Sequence, residues 1–424
     1  MKIAIISDTH LGYGRKTIRE NEAFTNACNA MKKAVEEEAD LILMPGDLFD
    51  QAVPSPETLL QGFQLFGVAN KAKKSAVEIE VNGKKREFNG LPIIAIHGTH
   101  EFRGKDYANI LSLFNESNSL IHVHAQTANV YKGQECVAIH CLGGVPEKKA
   151  LDVLMQWNPK PMQKAKNIFV FHQSIKEFLP TQDPMNVTLS LSDLPKGFDF
   201  YVDGHLHWNN VVSIHSGKLL LPGSTIITQL KKLEAVHPKG WIMLETLSGK
   251  EQFIEIPNQR KFFYEKIECN HSSIVEIEQK VLKKLEECLK QNSCELIPLI
   301  KIKLNGSLMN GLNSSDLDFN ALLSEFNEKA IISIDRDFGL SSLKQKIQEL
   351  RSMQKDKASI ASMGLTILEK KLNETSFGSA FDFKRIFELL SHDEVDKAMD
   401  LLLEEAKKLN PEKEKKKETL TDFI

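Results

Sequence analysis

IAIISDTHLG, residues 3–12, opens with four apolar residues in an unbroken run, which reads as a strand buried on both faces. At its carboxyl end, where open α/β sheets place their chemistry, it delivers Asp8 and His10 two positions apart. On extended backbone, residues i and i+2 point to the same side, so a carboxylate and an imidazole converge. That is half of a metal site, and later stretches of the chain repeat the plan.

LILMPGDLFD, residues 41–50, is again an apolar strand ending in an acid, with Gly46 easing the turn before Asp47. A central acid at a strand end is placed to bridge two ions, or else to cap the next helix. The strand over 91–96 runs into HGTHE, residues 97–101, where His100 is expected to face the site. Residues 167–171 lead to His172, and 198–202 lead to DGHLH, residues 203–207. There His205 and His207 are expected on one side of an extended segment, with Gly204 allowing close backbone approach. Residues 219–221 and 240–256 read as further strands, and 21–37 and 54–70 as helices. Alternation over 77–88 around Asn82-Gly83 reads as a hairpin, taken as a surface insertion without chemistry.

Collected, the strand ends offer Asp8, His10, Asp47, His100, His172, His205 and His207. These are too many ligands for one ion and suit two sharing Asp47. Two divalent ions ~3.5–4 Å apart can grip a phosphate, acidify a bridging water and stabilise the leaving oxygen. Mixed imidazole and carboxylate ligation without thiolate favours Mn²⁺ over Mg²⁺, Fe or Zn²⁺. His100 could instead steady the phosphate or protonate the leaving oxygen.

Composition sets the bounds. A chain of 424 residues should hold two or three domains. Its 54 basic residues against 57 acidic ones leave any DNA-binding surface a local feature. The six cysteines show no C-x-x-C spacing and read as reduced thiols of a cytosolic protein. A core strand at the start leaves no room for a signal peptide, and no apolar run is long enough for a membrane. The expected location is therefore cytoplasmic, not secreted.

The order D-x-H, G-D, G-x-H-[DE], H, G-H-x-H resembles the calcineurin-like metallophosphoesterase superfamily. Within it, DTHLG, GDLF, the G-x-H-E turn, FHQ and GHLHW resemble the nuclease subunit of the double-strand-break repair complex. That family is called meiotic recombination eleven in archaea and eukaryotes and SbcD in bacteria. The resemblance implies a four-layer β-sandwich flanked by helices, a small α/β cap and a C-terminal partner-binding segment. It implies two Mn²⁺ per subunit: Asp8, His10, Asp47 and His207 on one, Asp47, His172 and His205 on the other, with His100 as the catalytic histidine. Thr99 stands where the family carries a metal-ligating Asn. Its hydroxyl is a weaker ligand, so the second ion is held less well unless His97 or water makes up the difference. Asp50 stands where the family often has His, which weighs against exonuclease more than against single-strand endonuclease activity.

The implied division is a nuclease domain over 1–257, a cap over 258–339, a linker over 340–380, a helix-loop-helix over 381–409 and a charged, disordered tail over 410–424. In the cap, 262–267, 299–304 and 330–334 read as strands, and Ser273 with Glu276 opens a helix as a capping box. Phe383, Phe387, Leu390, Val395, Met399 and Leu402 form apolar stripes that need a partner surface. By resemblance that partner is the coiled-coil base of an SMC-like (SbcC-like) ABC-type ATPase. The tail, with Leu420 and Phe423 after lysines, resembles a motif that docks on the sliding clamp. Arg15, Lys16, Arg103 and Lys105 are candidate phosphate contacts near the site. The family further implies a nucleoid-associated homodimer, with residues 21–37 and the segment after Gly104 as candidate dimer helices. The expectation is a Mn²⁺-dependent nuclease acting at DNA ends, both as single-strand endonuclease and as 3′–5′ double-strand exonuclease. Its rivals are an end-tethering scaffold with blunted activity and a small-substrate phosphoesterase.

Overall fold

The structure, a computed structural model, describes residues 1–104, 107–179, 188–309, 311–338, 385–386, 389–390 and 395–409. The chain divides into two compact units: one of Met1–Glu268, Ser272–Leu304 and Leu312–Arg336, the other of Cys269–His271, Asn305–Gly311 and Asp337–Ile424.

The first unit is built on two stacked sheets. One has six strands in the order Lys250–Glu255, Gly240–Glu245, Lys2–Ile5, Leu41–Pro45, Ile93–Ile96 and Ile121–His122. Lys2–Ile5 pairs parallel with Leu41–Pro45 and antiparallel with Gly240–Glu245. Strand alternation explains the unbroken apolar runs. Ile3, Ile5, Leu41, Leu43, Ile94 and Ile96 face inward and join Val137, Ile139, Ile168, Val170 and Val202 of the other sheet. Ala4, Ile6, Ile42, Met44 and Ala95 face outward, against Ala27 and Met31 of helix Glu22–Glu36 and Leu65 and Phe66 of helix Pro56–Asn70. Ser55 caps the latter through Thr58 N at 3.3 Å.

The second sheet has eight strands: Asn210–Ile214, Gly217–Leu221, Phe200–Asp203, Lys166–Phe171, Glu135–Leu142, Gln126–Lys132, Glu78–Val81 and Lys84–Arg86. Its outer face, with Phe169, Phe171, Tyr201 and Leu221, is covered by Ala150 and Leu154 of helix Glu147–Trp157. Helix, sheet, sheet and helix make four layers, the architecture expected. The hairpin is a correction. It is no appendage, because Glu78–Val81 pairs antiparallel with Gln126–Lys132 and buries Val77, Ile79 and Val81 between the sheets. The alternation was real; what it served was the sheet edge.

Beyond the sheets, Arg260 Nε and Arg19 Nε both donate to Glu22 Oε2, at 2.8 and 2.9 Å. Arg19 also reaches Ile227 O at 2.7 Å, and Arg260 reaches Ile297 O. All three side chains are buried, so one carboxylate neutralised by two guanidinium groups ties the start of a helix to the chain that follows the sandwich. Phe262–Ser272, Leu299–Leu308 and Ile331–Phe338 form a three-stranded sheet. Helix Ile274–Gln291 opens with the Ser273/Glu276 capping box and buries Ile277, Val281, Leu285 and Cys288.

In the second unit, helix Val395–Leu409 leaves Val395 and Met399 exposed and buries Ala398; Leu390 is exposed and Leu402 half-buried. Phe383, Phe387, the linker and the tail lie outside the described residues. No described helix is long and apolar enough to cross a membrane.

Candidate metal centre

Each ligand-bearing loop begins where a central strand ends, but four of the ligands do not sit on extended backbone. Asp8, His10, Asp47 and His205 all have positive φ, at 49°, 45°, 49° and 64°. Left-handed backbone at non-glycine residues costs about 1–3 kcal/mol each and persists only where the surroundings enforce it. Here they do. Asp8 N donates to Gly46 O at 3.2 Å, His10 N to Asp47 O at 3.0 Å and His205 N to Asp8 Oδ1 at 3.1 Å. Asp8 and His10 thus converge because neighbouring loops lace together, not through the strand alternation the sequence suggested. The rings of His205 and His207 do not share one side, as extended backbone would place them; they part into different groups, as the family resemblance implies.

Three groups result whose ligand atoms lie within 4.8 Å of one another: Asp8, His10 and His207; Asp47, His172 and His205; and, between them, His10, Asp47 and His100. Nε2 of His10 and Nε2 of His207 face each other at 3.3 Å, and His207 Nε2 is 3.6 Å from Asp8 Oδ1. His172 donates Nδ1–H to Pro45 O at 2.7 Å, which turns Nε2 to within 3.1 Å of Asp47 Oδ2. Nδ1 of His10 and Nε2 of His172 are buried and make no well-aligned hydrogen bond; each faces a carboxylate, Asp50 at 3.5 Å and Asp47 at 3.1 Å. Buried polar atoms whose hydrogen bonding is incomplete mark a place where a further group belongs, and imidazole with carboxylate suits a divalent ion.

The electrostatics agree. Burial works to raise the Asp47 carboxyl, but His172, then His10 and His100, outweigh it and hold it well below the usual carboxylate range. Burial works to lower His172, yet the charge of Asp47 pushes it up to about 10. The proton bound there answers a demand for positive charge that a metal ion would meet instead. Burial and the neighbouring His172 bring His205 down to about 4, leaving it neutral and ready to ligate.

His100 is exposed at the mouth of this group. Its Nδ1–H donates to Asp50 O at 2.8 Å, leaving Nε2 3.9 Å from Asp47 Oδ2. The Asp50 carboxylate stands 3.5 Å from His10 Nδ1, so this departure from the family pattern lies inside the site. Thr99 Oγ1 donates to Asp47 Oδ2 at 3.4 Å. His97 does not substitute for it. Its ring is buried beside His122 and His124, its Nδ1 is 3.0 Å from His122 Nε2, and it joins none of the three ligand groups. Arg15 is paired with Glu57 at 2.9 Å, Lys16 is exposed, and the Arg103 guanidinium lies 4.8 Å over the Tyr107 ring. Lys105 lies outside the described residues.

Sequence reading passed over the residues that hold the ligands. Glu101, fully buried, accepts from Asp47 N at 3.1 Å, Phe49 N at 2.6 Å and Gly98 N at 2.7 Å. It thereby ties the Asp47 loop to the His100 loop. A side chain at Gly98 would collide with Asp47 Oδ1, which explains the glycine there. Ser174 Oγ bonds His205 Nε2 at 2.9 Å. Only the acid in the G-T-H-E turn could have been found beforehand, from its place in the motif.

Residues 1–209 match the family described as calcineurin-like phosphoesterase. Over 100% of its length the chain is 25% identical to the DNA double-strand break repair protein Mre11 of Archaeoglobus fulgidus, covering 99% of that protein. It is 26% identical to the protein of that name from Sulfolobus acidocaldarius, over 73% of this chain and 76% of the other. The mouse double-strand break repair protein MRE11 is 26% identical over 72% of this chain, which spans about half (51%) of the mouse protein. Two sheets between helices, ligands at the carboxyl ends of their parallel strands and a match over residues 1–209 agree on one conclusion: residues 1–209 are a calcineurin-like phosphoesterase domain, and the protein is a metal-dependent hydrolase of phosphoesters.

Proposed function

We propose that the protein is a Mn²⁺-dependent DNA nuclease that processes double-strand breaks. The observation that carries this is the convergence of two ligand groups, Asp8–His10–His207 and Asp47–His172–His205, linked by the third group, in which His10 and Asp47 come together with His100. The names of full-length relatives supply the substrate. A pair of ions bound there would polarise the phosphate and supply hydroxide at neutral pH. Asp47 would serve both ions, with Thr99 a weak additional oxygen for the second. His100, its Nδ1 proton fixed on Asp50 O, would present Nε2 to the phosphate and give a proton to the leaving oxygen. Arg15, Lys16, Arg103 and Lys105 would steer DNA phosphates toward it.

In this reading residues 1–257 are the nuclease, 258–339 the cap that presents DNA, 340–380 a linker, and 381–409 the helices that hold an SMC-like ABC-type ATPase. The tail over 410–424 would offer a clamp-docking motif. Of the two segments expected to form the dimer, the one after Gly104, together with helix Pro56–Asn70, is the better candidate. The outward side of helix Glu22–Glu36 carries Lys33 and Glu36 paired with each other, whereas Leu60, Phe63 and Leu113 stand exposed on helices Pro56–Asn70 and Ile110–Glu116. Leu60→Glu with Phe63→Glu should give a monomer by sedimentation where the unaltered protein is a dimer; an unchanged mass would remove this surface.

The expected result with labelled DNA is cleavage that requires Mn²⁺ and stops in EDTA, single strands being cut faster than blunt duplex ends because of Asp50. Activity confined to small phosphoesters would favour the phosphoesterase alternative. Thr99→Asn separates the active nuclease from the tethering scaffold. A gain of less than about tenfold is expected, roughly 1 kcal/mol of transition-state stabilisation. A much larger gain would show that Thr99 blunts the enzyme.

A further inference from the structure

His207 differs from His172 and His205 in what stands behind it. His172 gives its second nitrogen to a backbone carbonyl and His205 to the hydroxyl of Ser174. His207 Nδ1 lies 3.2 Å from a carboxylate oxygen, Glu234 Oε1, and 2.7 Å from Thr228 Oγ1. That carboxylate is itself held from several sides. Gln229 N donates to Oε2 at 2.8 Å and Lys239 Nζ to Oε1 at 3.0 Å. The same ammonium donates to His207 O at 2.7 Å and Ser224 Oγ at 2.9 Å, so it grips both the acid and the backbone of the ligand. Glu234 is 4% exposed and Lys239 2%.

A buried ion pair is a poor way to stabilise a fold, since desolvation offsets most of its attraction. What it does well is fix orientation. With Nδ1 occupied by Thr228 Oγ1 and the Glu234 carboxylate, the ring presents Nε2, the nitrogen that faces His10 and Asp8. A carboxylate partner also makes that nitrogen a stronger donor than a carbonyl or hydroxyl partner does.

We propose that Glu234 is a positioning residue for His207, held by Lys239, and that it makes the Asp8–His10–His207 group the tighter of two divalent-cation sites. The inference rests on the metal-centre reading above and adds an order of affinity to it.

Mn²⁺ titration of EDTA-stripped full-length protein, followed by electron paramagnetic resonance of the free ion, tests it without recourse to activity. The unaltered protein should bind two Mn²⁺ with distinct affinities. In Glu234→Gln the tighter constant should weaken by about 10–100-fold, the usual effect of removing a partner behind a ligand, while the weaker one stays put. Glu234→Gln leaves Lys239 without its counter-charge, so the double variant Glu234→Gln/Lys239→Met keeps the interior neutral. It should retain the fold by circular dichroism and show the same selective loss. Unchanged constants in a folded variant, or equal weakening of both, would overturn the assignment and leave Glu234 a structural residue. Failure of the unaltered protein to bind Mn²⁺ would instead defeat the metal-centre reading itself.

Discussion

Asp47→Asn should lower Mn²⁺-dependent cleavage at least about 1,000-fold while the protein stays folded. Asp47 belongs to two of the three ligand groups and is the acid through which they meet. Its Oδ2 lies 3.1 Å from His172 Nε2 and its Oδ1 accepts from His100 N at 2.8 Å. Asparagine keeps the shape but surrenders the charge that would hold both ions. Lewis-acid stabilisation of the reacting phosphate contributes several kcal/mol, and each ~1.4 kcal/mol is tenfold in rate. Initial rates at saturating Mn²⁺, with circular dichroism as the control for folding, check this. Cleavage within tenfold of the unaltered rate would remove Asp47 from the centre.

The largest loss of stability is expected from Glu101→Ala. Glu101 is completely buried, and its two oxygens satisfy three backbone N–H groups drawn from two loops. Burial, reinforced by the charge of Asp47, pushes its carboxyl up to about 7, so the position is costly for an acid and is occupied for what it holds together. Truncation would strand those donors at about 1–3 kcal/mol each, together ~3–9 kcal/mol. That is a large share of the roughly 5–15 kcal/mol a domain possesses. Urea unfolding in EDTA measures it free of bound ions. A loss below about 1 kcal/mol would mean that water or other groups satisfy the donors.

What the sequence disclosed follows from how each feature is encoded. The central strands were legible because both of their faces are buried, which leaves unbroken apolar runs such as residues 3–6 and 41–44. The ligands were legible because each follows such a run directly. The geometry uniting them was not, since Asp8, His10 and His205 reach the site through left-handed turns enforced by neighbouring loops that no local pattern reports. Strands Gln126–Lys132 and Glu135–Leu142 are not among the expected elements, although the first alternates around buried Ala128 and Val130 and the second is buried throughout Val137–Leu142, and with them goes the true place of the 77–88 hairpin. Glu234 and Lys239 had no spacing to betray them, for each looks like any surface charge until the fold buries it.

The account stands on a centre for two ions, and counting them tests it most directly. Calorimetric titration of Mn²⁺ into protein stripped with EDTA should give two ions per chain, with one of them lost from Asp47→Asn. A stoichiometry of one, or none, in the unaltered protein would contradict it.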